Sequence, residues 1–310
     1  MPSRILVTGG CGFIGSHLVE LLVGKGHVVT VVDDLSTGHR ANLAAVTGCD
    51  VVEARVEETD LAELGPFDAV FHLAAQASVP LSIDNFFASS ATNLLSTIKA
   101  VDYCARADIP MVYASSSAVY GNLPLGDESG GIDLLSPYAT DKLVAEIYCD
   151  MAGKLYGLRS FGLRFFNVYG PRQDPNSPYS GVISIFLKRL LNKQALIING
   201  GYQTRDFIYV GDVVAGMWSA LQYLQANSRP SYSNLLTGQS ISIDDLATLL
   251  MQLTGTEVER VYRELPKGDP EASLGTTARM QEQLRLTDFV ALREGLQRTI
   301  EWMATAHEGS

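Results

Sequence analysis

A glycine-rich turn near the N-terminus constrains the fold of this chain more than any other feature. Gly9, Gly12 and Gly15 recur at three-residue spacing behind a short apolar run, and a stretch of helical period begins at Phe13 and Ile14. Glycine lacks a Cβ atom, so such a turn lets backbone amides approach a ligand closely at the positive end of the helix that follows. Strand, turn and helix together predict a binding site for the pyrophosphate of a dinucleotide.

Apolar runs alternate with longer helical stretches through the first half of the chain. Predicted strands lie at residues 5–7, 28–32, 51–56, 69–73, 111–114 and 163–166. Predicted helices lie at residues 13–23, 86–106 and 138–155. The strands are continuous in Val, Ile and Leu, which is typical of strands that are buried on both faces of a parallel sheet. The pattern predicts an α/β fold with a doubly wound parallel sheet, the Rossmann architecture.

The second half of the chain has a different pattern. Residues 172–180 are rich in Pro, Asn and Ser and indicate a loop. The elements predicted after it are a helix at 182–191, a strand at 196–198, a strand at 207–210 and a helix at 211–224. We expect residues 1–170 to form the dinucleotide-binding domain, with a later return of the chain to it near 207–235. Residues 171–310 are expected to form mainly a smaller C-terminal α/β lobe that binds substrate.

The composition argues against several functional classes. The chain has 310 residues, a net charge of −11 and 46% hydrophobic residues. The acidic balance disfavours nucleic acid as the main partner, and no apolar run approaches the roughly 20 residues of a membrane span. The four cysteines form no CxxC pair, which argues against a metal site and against a disulfide framework. We therefore expect a cytoplasmic enzyme with no metal and no membrane partner.

An acidic residue closes the second predicted strand. Asp33 lies roughly 20 residues beyond Gly15, as the acidic residue of dinucleotide-binding folds does. A carboxylate at that place can accept hydrogen bonds from the hydroxyls of the adenosine ribose, and it would repel a 2′-phosphate. The position of Asp33 therefore predicts NAD rather than NADP as the cofactor.

Tyr138 and Lys142 are four residues apart at the start of a predicted helix, which Ser136 and Pro137 introduce. Pro suits the first helical turn, and the spacing places both side chains on one face. A tyrosine with its ordinary pKa near 10 is a poor base at neutral pH. A neighbouring ammonium and the positive nicotinamide ring would lower that pKa, so we expect Tyr138 to act as a general base with Lys142 beside it.

A run of three serines leaves the fifth predicted strand. Ser115, Ser116 and Ser117 follow residues 111–114 directly. One of these hydroxyls can hydrogen-bond a reacting hydroxyl group and share its proton. The glycine turn, the serine run and the Tyr-xxx-Lys pair occur in the order that a dehydrogenase-type site requires.

Together these motifs resemble the extended short-chain dehydrogenase/reductases, and among them the NAD-dependent UDP-sugar 4-epimerases (the UDP-glucose/UDP-N-acetylglucosamine 4-epimerase group). The resemblance covers essentially the whole chain. It is carried by the segments GGCGFIG, DDLSTG, HLAAQASV, NLLSTIKA, SSSAVYG, SPYATDK, RFFNVYGPRQDP and TRDFIYVGDV.

The resemblance implies a reaction and assigns residues to it. Enzymes of this group keep NAD bound and recycle it: a phenolate removes the proton of the C4 hydroxyl while hydride passes to NAD, and the hydride returns to the other face of the 4-keto sugar. The catalytic residues implied are Ser116, Tyr138 and Lys142, with Ser115 and Ser117 as alternatives for the serine. The cofactor-binding residues implied are Gly9, Gly12, Phe13, Ile14, Gly15, Asp33, Asn93, Tyr138 and Lys142.

The resemblance also implies which groups hold the substrate, and the residues are Ser117, Asn167, Arg205, Lys267 and Ser273. Asn167 contacts the sugar nucleotide and Arg205 its diphosphate, while Lys267 stands where relatives usually carry Arg. Ser273 occupies a position beside the C2 substituent of the sugar, where a small residue leaves space for an N-acetyl group. We expect interconversion of UDP-GlcNAc and UDP-GalNAc, with tolerance of UDP-Glc and UDP-Gal.

Several alternatives stay open. Dehydratases and decarboxylases of this group carry acidic residues where this chain has Ser117 and Ala118, and this difference favours epimerisation. A UDP-glucuronate 4-epimerase, another nucleotide-sugar epimerase or dehydratase, and a non-catalytic NAD-binding regulatory protein remain the alternatives. The group commonly pairs two long helices per subunit, so the helices at 86–106 and 138–155 imply a homodimer.

Overall fold

A computed structural model describes residues 2–175, 181–265 and 270–308 of the chain. Within them the strands are β1 (Arg4–Thr8), β2 (Val28–Asp33), β3 (Cys49–Glu53), β4 (Ala69–His72), β5 (Met111–Ser116), β6 (Ser160–Phe165), β7 (Asn167–Tyr169), β8 (Leu196–Asn199), β9 (Thr204–Tyr209), β10 (Ser231–Leu235), β11 (Ser240–Ser242), β12 (Arg260–Arg263) and β13 (Ala272–Ser273). The helices are α1 (Phe13–Gly24), α2 (Val79–Asp84), α3 (Phe86–Ala107), α4 (Pro137–Tyr156), α5 (Val182–Leu191), α6 (Val210–Ala226), α7 (Ile243–Thr254), α8 (Ala278–Leu284) and α9 (Leu292–Glu308).

The large sheet has seven strands in the order β3-β2-β1-β4-β5-β6-β10, and every neighbouring pair is parallel. The order reverses between β1 and β4, which is the point where a doubly wound sheet opens its ligand crevice at the carboxyl ends of the strands. The predicted doubly wound α/β fold is confirmed. One predicted strand is wrong at its end: β3 stops at Glu53, because Val56 begins a short 3₁₀ turn over Val56–Glu58 and is buried there.

Alternating residues of the central strands enter two separate cores. Ile5 and Val7 of β1 pack with α1 and α6, whereas Leu6, between them, packs with the residues of α3 and α4 on the opposite face. Successive side chains of a strand point to opposite faces, so a sheet that is covered on both sides needs apolar residues at every position. The continuous apolar runs of the sequence follow from this double burial.

A smaller, four-stranded sheet is formed by strands that follow β6 in the chain. β9 pairs with β7 and β13 in parallel and with β11 in antiparallel fashion, whereas β8 and β12 form a separate two-stranded parallel sheet. Helices α5, α7 and α9 supply residues to a third core that covers these strands. Of the chain near 207–235, β10 joins the edge of the large sheet and α6 packs on it, whereas β9 belongs to the smaller sheet.

Candidate active site

The turn after β1 has the geometry that its glycines predict. Gly9 has a φ of +70°, and a Cβ atom there would lie 2.7 Å from the backbone nitrogen of Ala74. A Cβ atom on Gly15 would overlap the carbonyl oxygen of Gly9, so α1 packs directly on the turn only because Gly15 has no side chain. A larger residue at position 15 would push α1 away from the turn, and one at position 9 would clash with the backbone that follows β4.

The start of α1 is shaped for an anion. Gly12 caps the helix without a side-chain hydrogen bond, and the first turn contains no acidic residue. The first amides of a helix have no partner within the helix, and the helix dipole makes this end positive. These features suit an anion, and contact of the Phe13, Ile14 and Gly15 amides with the pyrophosphate of NAD stays a prediction.

The Asp33 carboxylate lies at the end of β2, beside the same turn. Its two oxygens accept hydrogen bonds from the backbone nitrogens of Cys11 and Leu35, each at 2.9 Å. Burial raises the pKa of Asp33 above its ordinary value, and the two amide donors oppose that rise. Each carboxylate oxygen can accept a further bond, so the two ribose hydroxyls can be held without displacing the backbone.

Asn93 lies on α3, and its side-chain amide is hydrogen-bonded to other groups of the protein. Its oxygen accepts a hydrogen bond from the Gln76 backbone nitrogen at 2.8 Å, and its nitrogen donates to the Gln76 carbonyl at 3.2 Å and to Asp141 at 3.1 Å. Asn93 therefore holds the turn after β4 against α3. A direct contact of Asn93 with the cofactor stays a prediction.

Tyr138, Lys142 and Ser116 come together at the carboxyl edge of β5. The Lys142 ammonium donates to the Ala114 carbonyl at 2.9 Å and lies 5.7 Å from the centre of the Tyr138 ring. The Ser116 hydroxyl accepts from the Ala118 nitrogen at 3.1 Å, and its interaction with the Tyr138 side chain favours the phenolate. The three predicted groups thus form one cluster, with α4 bound to the end of β5 through Lys142.

Burial controls the ionisation of this cluster. It lowers the pKa of Lys142 to about 8 and raises the pKa of Tyr138, although the hydrogen bond from Ser116 opposes the rise. The rise comes from desolvation of the phenolate, and the expected lowering of the Tyr138 pKa by Lys142 and the positive nicotinamide ring together stays a prediction.

The contacts of the serine run distinguish its members. Ser115 donates to the Glu146 carboxylate at 2.5 Å and is buried with it. Ser116 faces Tyr138, and Ser117 begins the short 3₁₀ turn that follows. The geometry therefore favours Ser116 over Ser115 as the serine that shares the substrate proton.

Three of the predicted substrate residues meet on the smaller sheet. Ser273 pairs in register with Arg205, and the Asn167 amide donates to the Ser273 hydroxyl at 3.4 Å and to the Asp206 carbonyl at 2.9 Å. A cleft of about 590 Å³ opens here, and Asn167 and Arg205 line it together with Arg189. Lys267 lies outside the described residues.

These features agree with a match to a known protein family. The model of the NAD dependent epimerase/dehydratase family matches residues 5–235. The chain belongs to this family. Its match confirms the resemblance seen in the sequence and confirms NAD as the cofactor.

Relatives of this NAD dependent epimerase/dehydratase extend over the whole chain. A UDP-glucose 4-epimerase from Mycolicibacterium smegmatis is 35% identical and covers 96% of this chain and 98% of its own. The structure of a UDP-N-acetylglucosamine 4-epimerase from Methanobrevibacter ruminantium, in complex with UDP-N-acetylmuramic acid, superposes with a TM-score of 0.93 at 33% identity, covering 98% and 99% of the two chains. A UDP-glucuronic acid 4-epimerase from Bacillus cereus, in complex with UDP-glucuronic acid and NAD, has a TM-score of 0.91 at 27% identity, covering 98% and 99%.

Two charged residues of this family member lie behind the catalytic cluster and were missed in the sequence. Glu146 lies one helical turn after Lys142 on α4, and Arg164 donates to both of its carboxylate oxygens, at 2.8 and 2.6 Å. A lone arginine within the apolar run of β6 was the available signal, because a buried charge needs a partner. Arg164 also donates to the Tyr120 hydroxyl at 2.8 Å, which extends the pair toward the loop after Ser117.

Proposed function

We propose that this enzyme interconverts UDP-GlcNAc and UDP-GalNAc and tolerates UDP-Glc and UDP-Gal. NAD-dependent UDP-sugar 4-epimerase activity is supported by the family match and by the relatives that cover the whole chain. The observation that carries the assignment is the cluster of Ser116, Tyr138 and Lys142 at the edge of β5, next to the NAD-binding turn. The choice of sugar rests on Ser273 and its contact with Asn167.

The residues of the cluster move and hold one proton. The Tyr138 oxygen accepts the proton of the C4 hydroxyl, and the Ser116 hydroxyl bridges the two oxygens and shares that proton. Lys142, fixed by the Ala114 carbonyl, stabilises the phenolate and can hold the ribose of the nicotinamide half of the cofactor. NAD, held by the glycine turn, Asp33 and Lys142, would supply the hydride chemistry at C4 in both directions. Tyr138 then returns the proton to the C4 oxygen, which becomes the hydroxyl of the epimer.

The substrate is held by groups on the smaller sheet. Arg205 is 8% exposed, so its guanidinium meets a diphosphate in a largely desolvated cleft, where a charge-assisted, bidentate contact is strong. Ser273 is the register partner of Arg205 and accepts a hydrogen bond from Asn167, and its short side chain would leave room for an N-acetyl group. Lys267 is proposed as a second cation for the diphosphate.

The position after the catalytic serine argues against dehydration. Ser117 and Ala118 cannot act as a general acid and base on C5 or C6 of the sugar. Epimerisation needs the Tyr138–Ser116 pair and the cofactor and no further acid. UDP-glucuronate is the alternative substrate, because a relative of similar fold acts on a uronic acid.

A panel of nucleotide sugars tests the proposal. The purified enzyme is first denatured and the released nucleotide identified as NAD. It is then incubated with UDP-GlcNAc, UDP-Glc and UDP-glucuronate, and the C4 epimers are separated by chromatography. Turnover of UDP-GlcNAc above UDP-glucuronate supports the assignment. Conversion of UDP-glucuronate alone, or bound NAD without conversion of any of them, refutes it.

Substitution at Ser273 tests the basis of the sugar choice. A bulky side chain in Ser273→Tyr should reduce turnover of the N-acetyl sugars and leave UDP-Glc turnover close to wild type, whereas Ser273→Ala should preserve both. An unchanged ratio of N-acetyl to non-acetylated turnover in Ser273→Tyr contradicts the proposed role.

We further propose that the enzyme is a homodimer through α3 and α4. These helices pack on one another, and each exposes apolar side chains eight residues apart, Phe87 and Leu95 on α3 and Ile147 and Leu155 on α4, at 84%, 53%, 56% and 65% exposure. Exposed apolar residues in a shared stripe are typical of an interface. Light scattering on the purified protein tests this; the mass of a monomer would refute it.

The cytoplasm is the proposed location. In the described part of the chain no helix is long and apolar enough to cross a bilayer. All four cysteines are free thiols in the structure. A cell fractionation that recovers the protein with a cytoplasmic marker would support this location, and recovery with an extracytoplasmic marker would contradict it.

A further inference from the structure

A buried carboxylate, Asp141, lies on α4 between the two ionisable groups of the catalytic cluster. It follows Tyr138 by three residues and directly precedes Lys142, and it is only 4% exposed. Among the described residues it makes no ion pair. Its hydrogen-bond donors come from α3: the Ser90 hydroxyl and the Asn93 amide, each at 3.1 Å. Burying a carboxylate between neutral donors is costly, so its presence calls for a role.

Asp141 has a mechanical connection to the cofactor edge of the sheet. By accepting from the Asn93 nitrogen it fixes the orientation of that amide, whose oxygen then accepts from the Gln76 backbone nitrogen at 2.8 Å. Gln76 lies in the turn after β4, at the same carboxyl edge as the glycine turn of β1. One carboxylate thereby ties α4, α3 and this turn together.

Asp141 also has an electrostatic connection to the cluster. Its charge raises the pKa of Lys142, against the burial that lowers it to about 8, and it raises the pKa of Tyr138. Asp141 and Lys142 share one turn of α4, and a negative charge in the same buried region as an ammonium stabilises the charged form of the lysine. Without it, burial alone would deprotonate Lys142 nearer to neutral pH.

The other groups that pack around the cluster leave this role to Asp141. His72 of β4 is buried with Thr8 and Thr97 as hydrogen-bond partners, and burial lowers its pKa to about 3, so it is neutral near pH 7. On α4 itself, Glu146 is paired with Arg164 of β6.

The remaining contacts from packed elements are made by uncharged groups. From α3 these are Ser90 and Asn93, and from α2 the Ser82 hydroxyl accepts from the Tyr138 backbone nitrogen at 3.2 Å. Asp141 is thus the carboxylate that acts on both Tyr138 and Lys142.

We propose that Asp141 is a positioning residue that keeps Lys142 in its ammonium form within the buried site and so sets the pH range in which the Tyr138–Lys142 pair works. The inference rests on the proposed epimerase function. It adds a residue that touches neither the substrate nor the reacting atoms and that acts through Lys142, Tyr138 and Asn93.

The test is the pH profile of kcat for Asp141→Asn, in which shape is kept and charge is lost. Both limbs should move to lower pH, because removal of the negative charge lowers the pKa of Tyr138 and of Lys142 alike. The ratio of kcat at pH 8 to kcat at pH 6 should fall by about ten-fold, since an opposite charge close to an ionisable group changes its proton affinity by at least that factor. A kcat that falls by the same factor at every pH would mean a merely structural role and would overturn the proposal.

Matched variants separate charge from packing. Ser90→Ala removes one hydrogen bond to Asp141 but no charge, so both limbs of its kcat–pH profile should lie at the same pH as in wild type. Asp141→Glu restores the charge and should restore the limbs at least partly. Asp141→Ser is a second neutral variant, small enough for the same space; if it folds while Asp141→Asn does not, the same shift is required of it.

A readout independent of turnover distinguishes the failure of this inference from the failure of the proposed function. The ultraviolet difference absorbance of the NAD-loaded protein reports the phenolate of Tyr138 when the signal of Tyr138→Phe is subtracted. In Asp141→Asn that phenolate should appear at lower pH than in wild type. If wild type converts no UDP-sugar, the proposed function fails. If wild type is active and neither the profile nor the phenolate moves, only the role of Asp141 fails.

Discussion

The Glu146–Arg164 pair allows a sharp prediction about stability. Both side chains are buried, at 5% and 3% exposure, and the two hydrogen bonds join α4 to β6 directly behind the catalytic cluster. In Glu146→Gln, an amide nitrogen replaces one carboxylate oxygen and faces the donors of Arg164. The guanidinium is then left buried and without a counter-charge.

The expected magnitude follows from this geometry. Removal of one partner of a buried ion pair costs about 3–5 kcal/mol. With an unfolding entropy of about 2.1 cal/mol/K per residue over 310 residues, that loss lowers Tm by about 5–8 °C. Ser115 donates to the same carboxylate and directly precedes Ser116, so Glu146→Gln should also lower kcat by a small factor.

Calorimetry of the NAD-loaded protein at pH 7 measures the change. Asp150→Asn is the matched control, because Asp150 lies one turn further along α4 and pairs with Lys154 at the surface, at 57% and 73% exposure. An exposed ion pair contributes roughly 0–1 kcal/mol to stability, so the Tm of Asp150→Asn should stay close to that of wild type. Equal losses in the two variants, or a Tm for Glu146→Gln within about 1 °C of wild type, would refute the reasoning.

Three further predictions concern the cofactor turn, the cleft and the acid stability. Gly15→Ala should purify without bound nucleotide, because its Cβ would overlap the Gly9 carbonyl; a full complement of NAD released on denaturation contradicts this. Arg205→Lys keeps the charge but loses the bidentate contact, so KM for the UDP-sugar should rise roughly ten-fold with kcat little changed, and an unaltered KM would exclude the diphosphate contact. The pKa of His72 in the folded protein, about 3, lies below its ordinary 6.5. The contribution of neutral His72 to the free energy of unfolding is therefore complete above pH 6.5 and is lost as the pH falls toward 3. Denaturation in urea across this range should show a shallower acid loss for His72→Asn than for wild type, and identical slopes would contradict the assignment.

The elements that the sequence predicted best are those with a local cause. The predicted helix at 182–191 coincides with α5, whose apolar face is periodic, and α4 begins where Ser136 and Pro137 predict. β10 was missed because its sequence, SYSNL, is mostly polar and lacks a continuous apolar run; it lies at the edge of the sheet.

The site was predictable to the extent that its chemistry is local in sequence. Tyr138 and Lys142 share one helix, so their spacing sufficed. Ser116 was already implied by the family resemblance, but the contact that removes Ser115 from consideration joins it to Glu146, 31 residues further on, and no local pattern contains that contact. The contact between Asn167 and Ser273 spans 106 residues and appears only once the smaller sheet is formed. The rise in the pKa of Tyr138 likewise comes from tertiary burial, which spacing alone does not express.

The most direct test of the account is the turnover of Tyr138→Phe, which removes a single oxygen from the catalytic cluster. With UDP-GlcNAc as substrate, kcat should fall by at least about 10²-fold, the usual contribution of a general base, while the content of bound NAD stays at the wild-type level. C4 epimerisation at an undiminished rate would show that Tyr138 does not accept the proton and would contradict the proposed mechanism.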